Sequence, residues 1–96
     1  MTIRNVLLIQ LRPEASPAQV DAFERELVAV PFPGRLNFVF GRDLGLRSDS
    51  MDLAVISDFP DEATYHAWAD DEAHQRVRAE FLRPIAARVE RCQIRV

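Results

Sequence analysis

The sequence predicts an α+β protein with a ferredoxin-like β-α-β-β-α-α-β order, in which helices cover one face of a four-stranded antiparallel sheet. Three observations lead to this prediction. The chain has 96 residues, enough for a single domain spanning residues 1–96. Four short apolar segments are separated by segments of helical periodicity and, between the second and the third, by the polar loop of residues 41–50. Two of these strands are apolar on both faces, so a second layer is expected on the side that the helices leave open.

The first half of the chain predicts a strand, a helix and a second strand. Residues 3–11 form the first strand, which ends at Arg12-Pro13. A helix follows Ser16, because Ser-Pro-Ala-Gln is a capping box with proline at the first helical position. Its apolar residues recur at the helical period and are Val20, Phe23, Leu27 and Val30. Pro31, Pro33 and Gly34 end this helix, and residues 36–40 form the second strand.

The second half predicts two helices between two strands. The third strand covers residues 51–59, and a short helix runs from Pro60 to about Ala69. Asp71 is placed to cap a third helix. One face of that helix carries His74, Val77, Phe81 and Ile85. Pro84 is expected to interrupt its last turn, and residues 89–96 form the fourth strand.

The uncovered sheet face predicts a homodimer. Val6 and Leu8 occupy even positions of the first strand, whereas the odd positions are expected to face the helices. Two sheets that pack face to face around a two-fold axis would bury these side chains. We therefore expect each subunit to contribute one sheet to the interface.

Composition excludes several classes of protein. The net charge of −3 argues against nucleic-acid binding, and no apolar run approaches the roughly 20 residues of a transmembrane helix. The single cysteine, Cys92, cannot form an internal disulfide, and the N-terminus does not read as a signal peptide, so a cytoplasmic location is expected. With two histidines and one cysteine, no metal site is expected.

Two further patterns have ordinary interpretations. Residues 48–75 carry eight acids and no basic residue, whereas residues 76–96 carry six arginines and two acids. We interpret these blocks as solvated faces that neighbour each other on the surface. Phe38 and Phe40 lie between Arg35 and Arg42 in a pattern similar to RNA-stacking strands, but the first strand offers no aromatic platform. Core or dimer packing is the preferred interpretation of this pair.

A small-molecule pocket is the candidate functional site. His74 is the one polar residue on the core stripe of the third helix, and Asn5 is the one polar residue on the odd face of the first strand. Tyr65 and Trp68 share a face of the second helix. If this strand face meets the helices, the four side chains line one pocket, with Leu7, Val77 and Phe81 as apolar walls. The alternative is a core histidine bonded to Asn or to backbone. Burial at a helix start predicts a neutral imidazole at pH 7.

Three segments resemble the stress-responsive dimeric α/β-barrel (Dabb) family: VLLIQLRPEAS, DLAVISDFPDEATYHAW and DDEAHQRVRAEFLRPI. The resemblance spans nearly the whole chain. It implies a ferredoxin-like subunit and a homodimer whose two sheets form a barrel. One plant member of the family is a polyketide cyclase in which a Tyr and a His act as acid and base without a cofactor. By resemblance, His74 corresponds to that His, Trp68 stands at the Tyr position, and Asn5 stands where a pocket His lies.

The resemblance thus implies a protein that binds a hydrophobic or aromatic carbonyl compound. It could act as a cofactor-free cyclase or isomerase with His74 as the acid–base residue. A cofactor-independent monooxygenase on the same fold and a non-catalytic stress or interaction module are the alternatives. The resemblance implies no metal or cofactor, and no membrane or nucleic acid as a partner.

Overall fold

The four predicted strands form one antiparallel sheet in the computed structural model, which describes residues 2–96. They are β1 (Ile3–Leu11), β2 (Phe38–Arg42), β3 (Leu53–Phe59) and β4 (Ala86–Arg95). Their spatial order is β2-β3-β1-β4, so β1 and β3 are central. The ferredoxin-like arrangement predicted from the sequence is confirmed.

The three helices are α1 (Pro17–Val28), α2 (Glu62–Asp70) and α3 (Glu72–Val77). The first and third begin at the predicted caps, Ser16 and Asp71, whereas α2 begins two residues after its predicted start at Pro60. Before α1, the Gln19 N–H donates to Ser16 Oγ at 3.2 Å and the Ser16 N–H donates to Gln19 Oε1 at 2.9 Å, completing the capping box. Within residues 2–96, no helix has the length and hydropathy needed to cross a bilayer.

The chain leaves α3 through a π-helical turn, Arg78–Leu82, rather than through the α-helical turns that the sequence predicts. In this wider turn the Arg83 N–H donates to the Arg78 carbonyl at 3.0 Å. Pro84 follows, and β4 starts at Ala86, earlier than the predicted residue 89. The reason is a hydrogen bond of 2.8 Å from the Arg12 N–H to the Ile85 carbonyl, which brings the chain alongside β1 immediately after the turn.

The predicted starts of β2 and β3 are each two residues too early. Residues 36–37 are joined to β3 outside the regular ladder, because the Leu36 N–H donates to the Asp58 carbonyl at 2.7 Å and the Asp58 N–H donates to the Asn37 carbonyl at 3.0 Å. Ahead of β3, the Asp52 carboxylate accepts the Leu11 N–H at 2.7 Å. The Asp52 N–H also donates to the Ile9 carbonyl at 2.9 Å, so backbone and side chain together tie Asp52 to β1 just before the regular ladder begins.

The core lies between the helices and one face of the sheet. Its buried apolar residues are Ile9, Val20, Phe23, Leu27, Val30, Leu53, Val55, Phe59, Trp68, Val77, Leu82 and Ile85. Phe38 and Phe40 of β2 pack against this cluster, and the Phe40 ring meets the Phe23 ring edge-on at 5.5 Å between centroids. The aromatic pair of β2 therefore belongs to the core.

The opposite, outer face of the sheet is also apolar, as the sequence predicts. Val6 lies opposite Ile56 of β3 and Cys92 of β4. On the same face Leu8 is 38% exposed and Val39 is 53% exposed, which is unusual for apolar side chains in a sheet. None of the helices covers this face.

One buried carboxylate interrupts the apolar outer face. Asp58 is 1% exposed, and its two oxygens accept bonds from Arg4 Nε at 2.8 Å and Arg4 Nη2 at 3.0 Å. Asn37 Nδ2 donates to the same carboxylate at 3.0 Å. These bonds lower the pKa of Asp58 below its ordinary value of 3.8, with the Arg4 hydrogen bonds as the largest cause.

We predict that Asp58→Asn lowers the melting temperature at pH 7 by about 5 °C or more, since it leaves the Arg4 guanidinium without its anionic partner. The stabilisation from Asp58 is fully present above pH 3.8 and is lost as the pH falls through the lowered pKa of the folded state. Thermal unfolding monitored by circular dichroism measures both effects. Asp49→Asn, which removes an exposed pair with Arg47, is the control and should change the melting temperature by less than about 2 °C. Equal changes in melting temperature for the two substitutions would contradict a stabilising role of the buried Asp58–Arg4 pair.

Candidate functional site

A cavity lies between the helices and the sheet, on the core side. Its volume is about 60 Å³, and the free space is about 570 Å³ when the adjoining open solvent is counted. The walls come from all four strands, from α1, α2 and α3, and from the π-helical turn. The polar residues of its lining are Asn5, Ser57, Tyr65, His74, Arg78 and Arg91.

Most of the residues predicted to form the pocket line this cavity. Asn5, Leu7, Tyr65, Trp68 and His74 all contribute to its wall. Val77 and Phe81 do not: Val77 is 1% exposed within the core, and Phe81 packs against the core. The cavity is lined instead by Arg78 and Leu82, at steps of four from His74, so the lining face is displaced by one residue from the predicted one. That the lining residues bind a ligand stays a prediction.

His74 is held in one tautomer by the backbone of the preceding helix. Its Nδ1 lies 2.8 Å from the Trp68 carbonyl oxygen. A carbonyl oxygen can only accept a hydrogen bond, so in the neutral ring the proton resides on Nδ1. The lone pair is then on Nε2, for which the described residues provide no hydrogen-bond partner.

The short connection between α2 and α3 produces this arrangement. Asp71 ends α2, and its carboxylate accepts the His74 N–H at 2.9 Å, which caps α3. The cap fixes the His74 backbone in the first turn of α3, six residues after Trp68. The imidazole then stacks on the indole, with 3.8 Å between the ring centroids and an angle of 14° between the planes.

A cation lies over the same indole ring. The Arg35 guanidinium carbon is 4.7 Å from the Trp68 ring centroid and 4.4 Å from that of Phe38. Arg35 Nη1 donates to the Leu27 carbonyl at 3.1 Å, at the end of α1. This arginine therefore ties α1 to the aromatic side of the cavity and adds a positive charge near His74.

These surroundings lower the pKa of His74 below its ordinary value of 6.5. Burial is the largest cause, and the charges of Arg78 and Arg35 act in the same direction. The hydrogen bond to the Trp68 carbonyl and the charge of Asp71 oppose the shift without reversing it. The imidazole is therefore neutral at pH 7, as expected from the sequence.

Two hydrogen-bond donors are available beside this base. Gln93 Nε2 donates to Asn5 Oδ1 at 2.9 Å, which orients the Asn5 amide. The Nδ2 atom of Asn5 is then free to donate, and no described residue accepts a hydrogen bond from it. Tyr65 packs its ring edge-on against Phe59, with 5.8 Å between centroids, while forming part of the cavity wall. The cavity thus combines a neutral base with neutral donors.

The sequence analysis did not select Arg78 and Arg91, although both line the cavity. Arg78 lies four residues after His74, a spacing that places two helical side chains on one face. Arg91 lies opposite Leu7 in the β1–β4 ladder, on the strand face that meets the helices. The basic block of residues 76–96 was the signal for both, but a charge block alone does not show which side chains face a cavity.

No group of three or more His, Cys, Asp or Glu side chains within residues 2–96 is arranged to hold a metal ion. The chemistry that the cavity residues themselves can perform is proton transfer. A neutral imidazole accepts a proton, and the amide and phenol donate hydrogen bonds to a developing negative charge.

We predict that His74 titrates with a pKa below 6.5, because burial and two nearby arginines disfavour its protonated form. The measurement is an NMR titration of the imidazole resonances in a His66→Gln background, where His74 is the only histidine. As the pH falls below 6.5, the unfolded chain takes up a proton before the folded one, so the free energy of unfolding decreases. A pKa above 6.5 would contradict the described position of the ring.

Solved structures similar to this chain include proteins of several activities. A dimeric ferredoxin-like protein of unknown function from Thermobifida fusca YX is 30% identical over 100% of this chain and 92% of its own, with a TM-score of 0.91. The hydroxynitrile lyase of Passiflora edulis is 18% identical over 99% of this chain and 93% of its own, with a TM-score of 0.86. SnoaB, a cofactor-independent oxygenase of Streptomyces nogalater, is 14% identical over 99% and 92%, with a TM-score of 0.78. The last two likenesses show the fold alone.

Sequence comparison identifies the family. No curated protein matches the chain significantly. The family model of the stress-responsive A/B barrel domain matches residues 3–92, which include every strand except the end of β4. This match agrees with the three segments of resemblance and with the sheet order. The chain belongs to the stress-responsive A/B barrel domain (Dabb) family.

Proposed function

We propose that residues 1–96 act as a single-domain, cytoplasmic homodimer that binds a small hydrophobic or aromatic carbonyl compound. In this proposal His74 is a general base that removes a proton from the carbon next to the carbonyl group, without a metal or organic cofactor. The reaction class is that of a cyclase, lyase or isomerase whose first step forms an enolate.

The observation that carries the proposal is the state of His74. Its Nδ1 is engaged by the Trp68 carbonyl at 2.8 Å, so Nε2 is the atom that accepts a proton. Its pKa is lowered, so the base is unprotonated at neutral pH. A base that lines a cavity and is held in one tautomer meets the first requirement of general-base catalysis.

The carbonyl oxygen of the bound compound would gain negative charge as the proton leaves. Asn5 Nδ2 and the Tyr65 hydroxyl are the neutral donors that line the same cavity. Donors that are already oriented stabilise an enolate without reorganisation at the moment of reaction. Trp68, at the position of the family tyrosine, serves in this proposal to position His74 rather than to donate a proton.

The cavity limits the size of the compound. A cavity of about 150 Å³ in a protein core holds benzene, whereas this cavity measures about 60 Å³. We accordingly propose that the carbonyl group enters the cavity and that the rings of the compound extend into the open space at its mouth.

Other proteins with this fold are enzymes. They include a hydroxynitrile lyase from Passiflora edulis and a cofactor-independent oxygenase from Streptomyces nogalater. An oxygenase is the second candidate here, because Trp68, Asn5 and His74 line one cavity and the indole stacks on the imidazole. Oxygen uptake with an anthrone as the probe distinguishes this reaction from proton transfer alone. Binding without any turnover would instead favour a non-catalytic module.

Dimerisation is supported by the apolar outer face of the sheet and by the Thermobifida fusca protein, which is described as dimeric. Two isologous copies would cover Val6, Leu8 and their neighbours on each subunit. The cavity lies on the opposite side of each sheet, so it stays open after this pairing.

We predict that Leu8→Asp converts the dimer to a monomer at micromolar concentration, because the substitution places a charge without a partner in the sheet-to-sheet interface. Analytical ultracentrifugation measures the change. Val28→Asp, at a 53% exposed position on α1, is the matched control and should stay dimeric. A wild-type protein that is monomeric at this concentration would refute the proposed assembly.

We predict that the protein accelerates deuterium exchange at the methyl group of acetophenone in D₂O, and that His74→Gln lowers this rate by about a hundredfold or more. Glutamine keeps a donor for the Trp68 carbonyl, so the substitution removes the base with little effect on the connection between α2 and α3. Proton NMR follows the exchange. The rate should fall as the pH drops through the lowered pKa of His74, because the imidazolium cannot accept a proton.

His66→Gln is the matched control for this experiment. His66 is exposed on α2 and does not line the cavity, so its removal should leave the exchange rate unchanged. Equal rates in wild type and His74→Gln would remove His74 from the reaction.

A further inference from the structure

A second concavity that is rich in arginine adjoins the cavity. Arg78, Leu82 and Arg91 line both spaces. The second concavity adds three further arginines to its wall, Arg12, Arg83 and Arg88. Among residues 2–96, no Asp or Glu side chain lines either space. A ligand that enters the cavity this way therefore meets positive charge only.

Two of the surrounding arginines already have acceptors. Arg12 Nε donates to the Ala86 carbonyl at 3.0 Å, and Arg88 Nε donates to Glu90 Oε1 at 2.7 Å. Arg78, Arg83 and Arg91 differ from them: within the described part of the chain, none of these three guanidinium groups has a hydrogen-bond acceptor or an anionic partner. Of the three, Arg78 and Arg91 reach the cavity itself.

The position of Arg78 makes its charge unfavourable without a ligand. It is half-buried at the start of the π-helical turn. Burial is the largest cause that lowers the pKa of Arg78, and repulsion from Arg91 and Arg83 adds to it. Positive charges that are gathered at a partly desolvated site and lack a counter-ion are stabilised when an anion binds between them.

We propose that Arg78 and Arg91 form an anion subsite that binds a carboxylate carried by the carbonyl compound of the His74 cavity. This inference rests on the proposed function and specifies its substrate class as an aromatic or short aliphatic keto acid. The guanidinium fork pairs with the two oxygens of a carboxylate in a planar, bidentate arrangement. The ring or acyl body occupies the apolar wall formed by Leu7, Phe38 and Trp68.

A monoanionic carboxylate fits this site better than a phosphate. The cavity is small, and a dianion loses more hydration free energy than a monoanion on entering it. Arg91 is exposed and Arg78 is half-buried. The carboxylate therefore binds near the mouth while the carbonyl group reaches toward His74.

The test compares 3-benzoylpropionate with its methyl ester, two probes that share the phenyl ketone and differ in charge. Isothermal titration calorimetry measures affinity, and quenching of the emission of Trp68, the only tryptophan in the chain, places each probe in the cavity. We expect the acid to bind to the wild-type protein at least about tenfold more tightly than the ester. Raised salt should reduce this preference, because exposed Arg91 is screened.

Substitutions of the two arginines test whether they cause the preference for the acid over the ester. Arg78→Gln and Arg91→Gln should each weaken binding of the acid by about tenfold and change binding of the ester by less than about twofold. Arg78→Lys should restore part of the affinity, since it keeps the charge and loses the fork. Arg76→Gln is the control: Arg76 pairs with Glu80 at 3.1 Å, lies outside both spaces and should leave both affinities unchanged.

The outcomes separate this inference from the proposed function. The carboxylate subsite would be overturned if the wild-type protein bound acid and ester equally well. It would also be overturned if Arg78→Gln and Arg91→Gln bound the acid as tightly as the wild type. In either case, ester binding and acetophenone exchange would still support the His74 cavity. Tighter binding of phenyl phosphate than of 3-benzoylpropionate would overturn the choice of a carboxylate. If neither probe quenches Trp68 and no exchange occurs, the proposed function fails and the inference fails with it.

Discussion

The structure depends on a central strand that is apolar on both faces. The odd residues of β1 face the helices, where Ile9 is fully buried and Leu7 and Asn5 form the floor of the cavity. The even residues Val6 and Leu8 face the other way, onto the surface that we propose a second subunit covers. Burial of its odd residues and pairing with two neighbouring strands anchor β1 between β3 and β4. The binding side and the assembly side are thereby separated by one layer of backbone.

Local chain geometry then prepares the base. One residue, Asp71, ends α2 and caps α3, which places His74 directly over Trp68. The Trp68 carbonyl selects the tautomer, and burial keeps the ring neutral. The tautomer depends only on the α2–α3 unit, whereas the neutral state also depends on burial and on the charges of Arg35 and Arg78. Backbone hydrogen bonding thus defines which nitrogen of His74 is unprotonated.

The arginines of the basic block have different surroundings at the two ends of β4. The acidic block of residues 48–75 includes α2, and Glu62 pairs with Arg95 at 2.7 Å, so the acidic and basic blocks are neighbours as the sequence analysis expected. Farther along β4, the arginines face a concavity without carboxylates. The same basic block therefore balances acids at one end of β4 and remains uncompensated around Arg78 and Arg91 at the other.

The sequence by itself determined the order of elements, the helix caps at Ser16 and Asp71, and the polar positions Asn5 and His74, since short-range periodicity and capping depend on neighbouring residues. It did not determine the start of β4, the π-helical turn or the cavity roles of Arg78 and Arg91. In β4 the apolar residues Cys92 and Ile94 face outward while Arg91 faces the helices, because the register is set by pairing with β1 across more than 80 residues of sequence. Such long-range pairing, together with the packing of the helices, decided which charges reach the cavity.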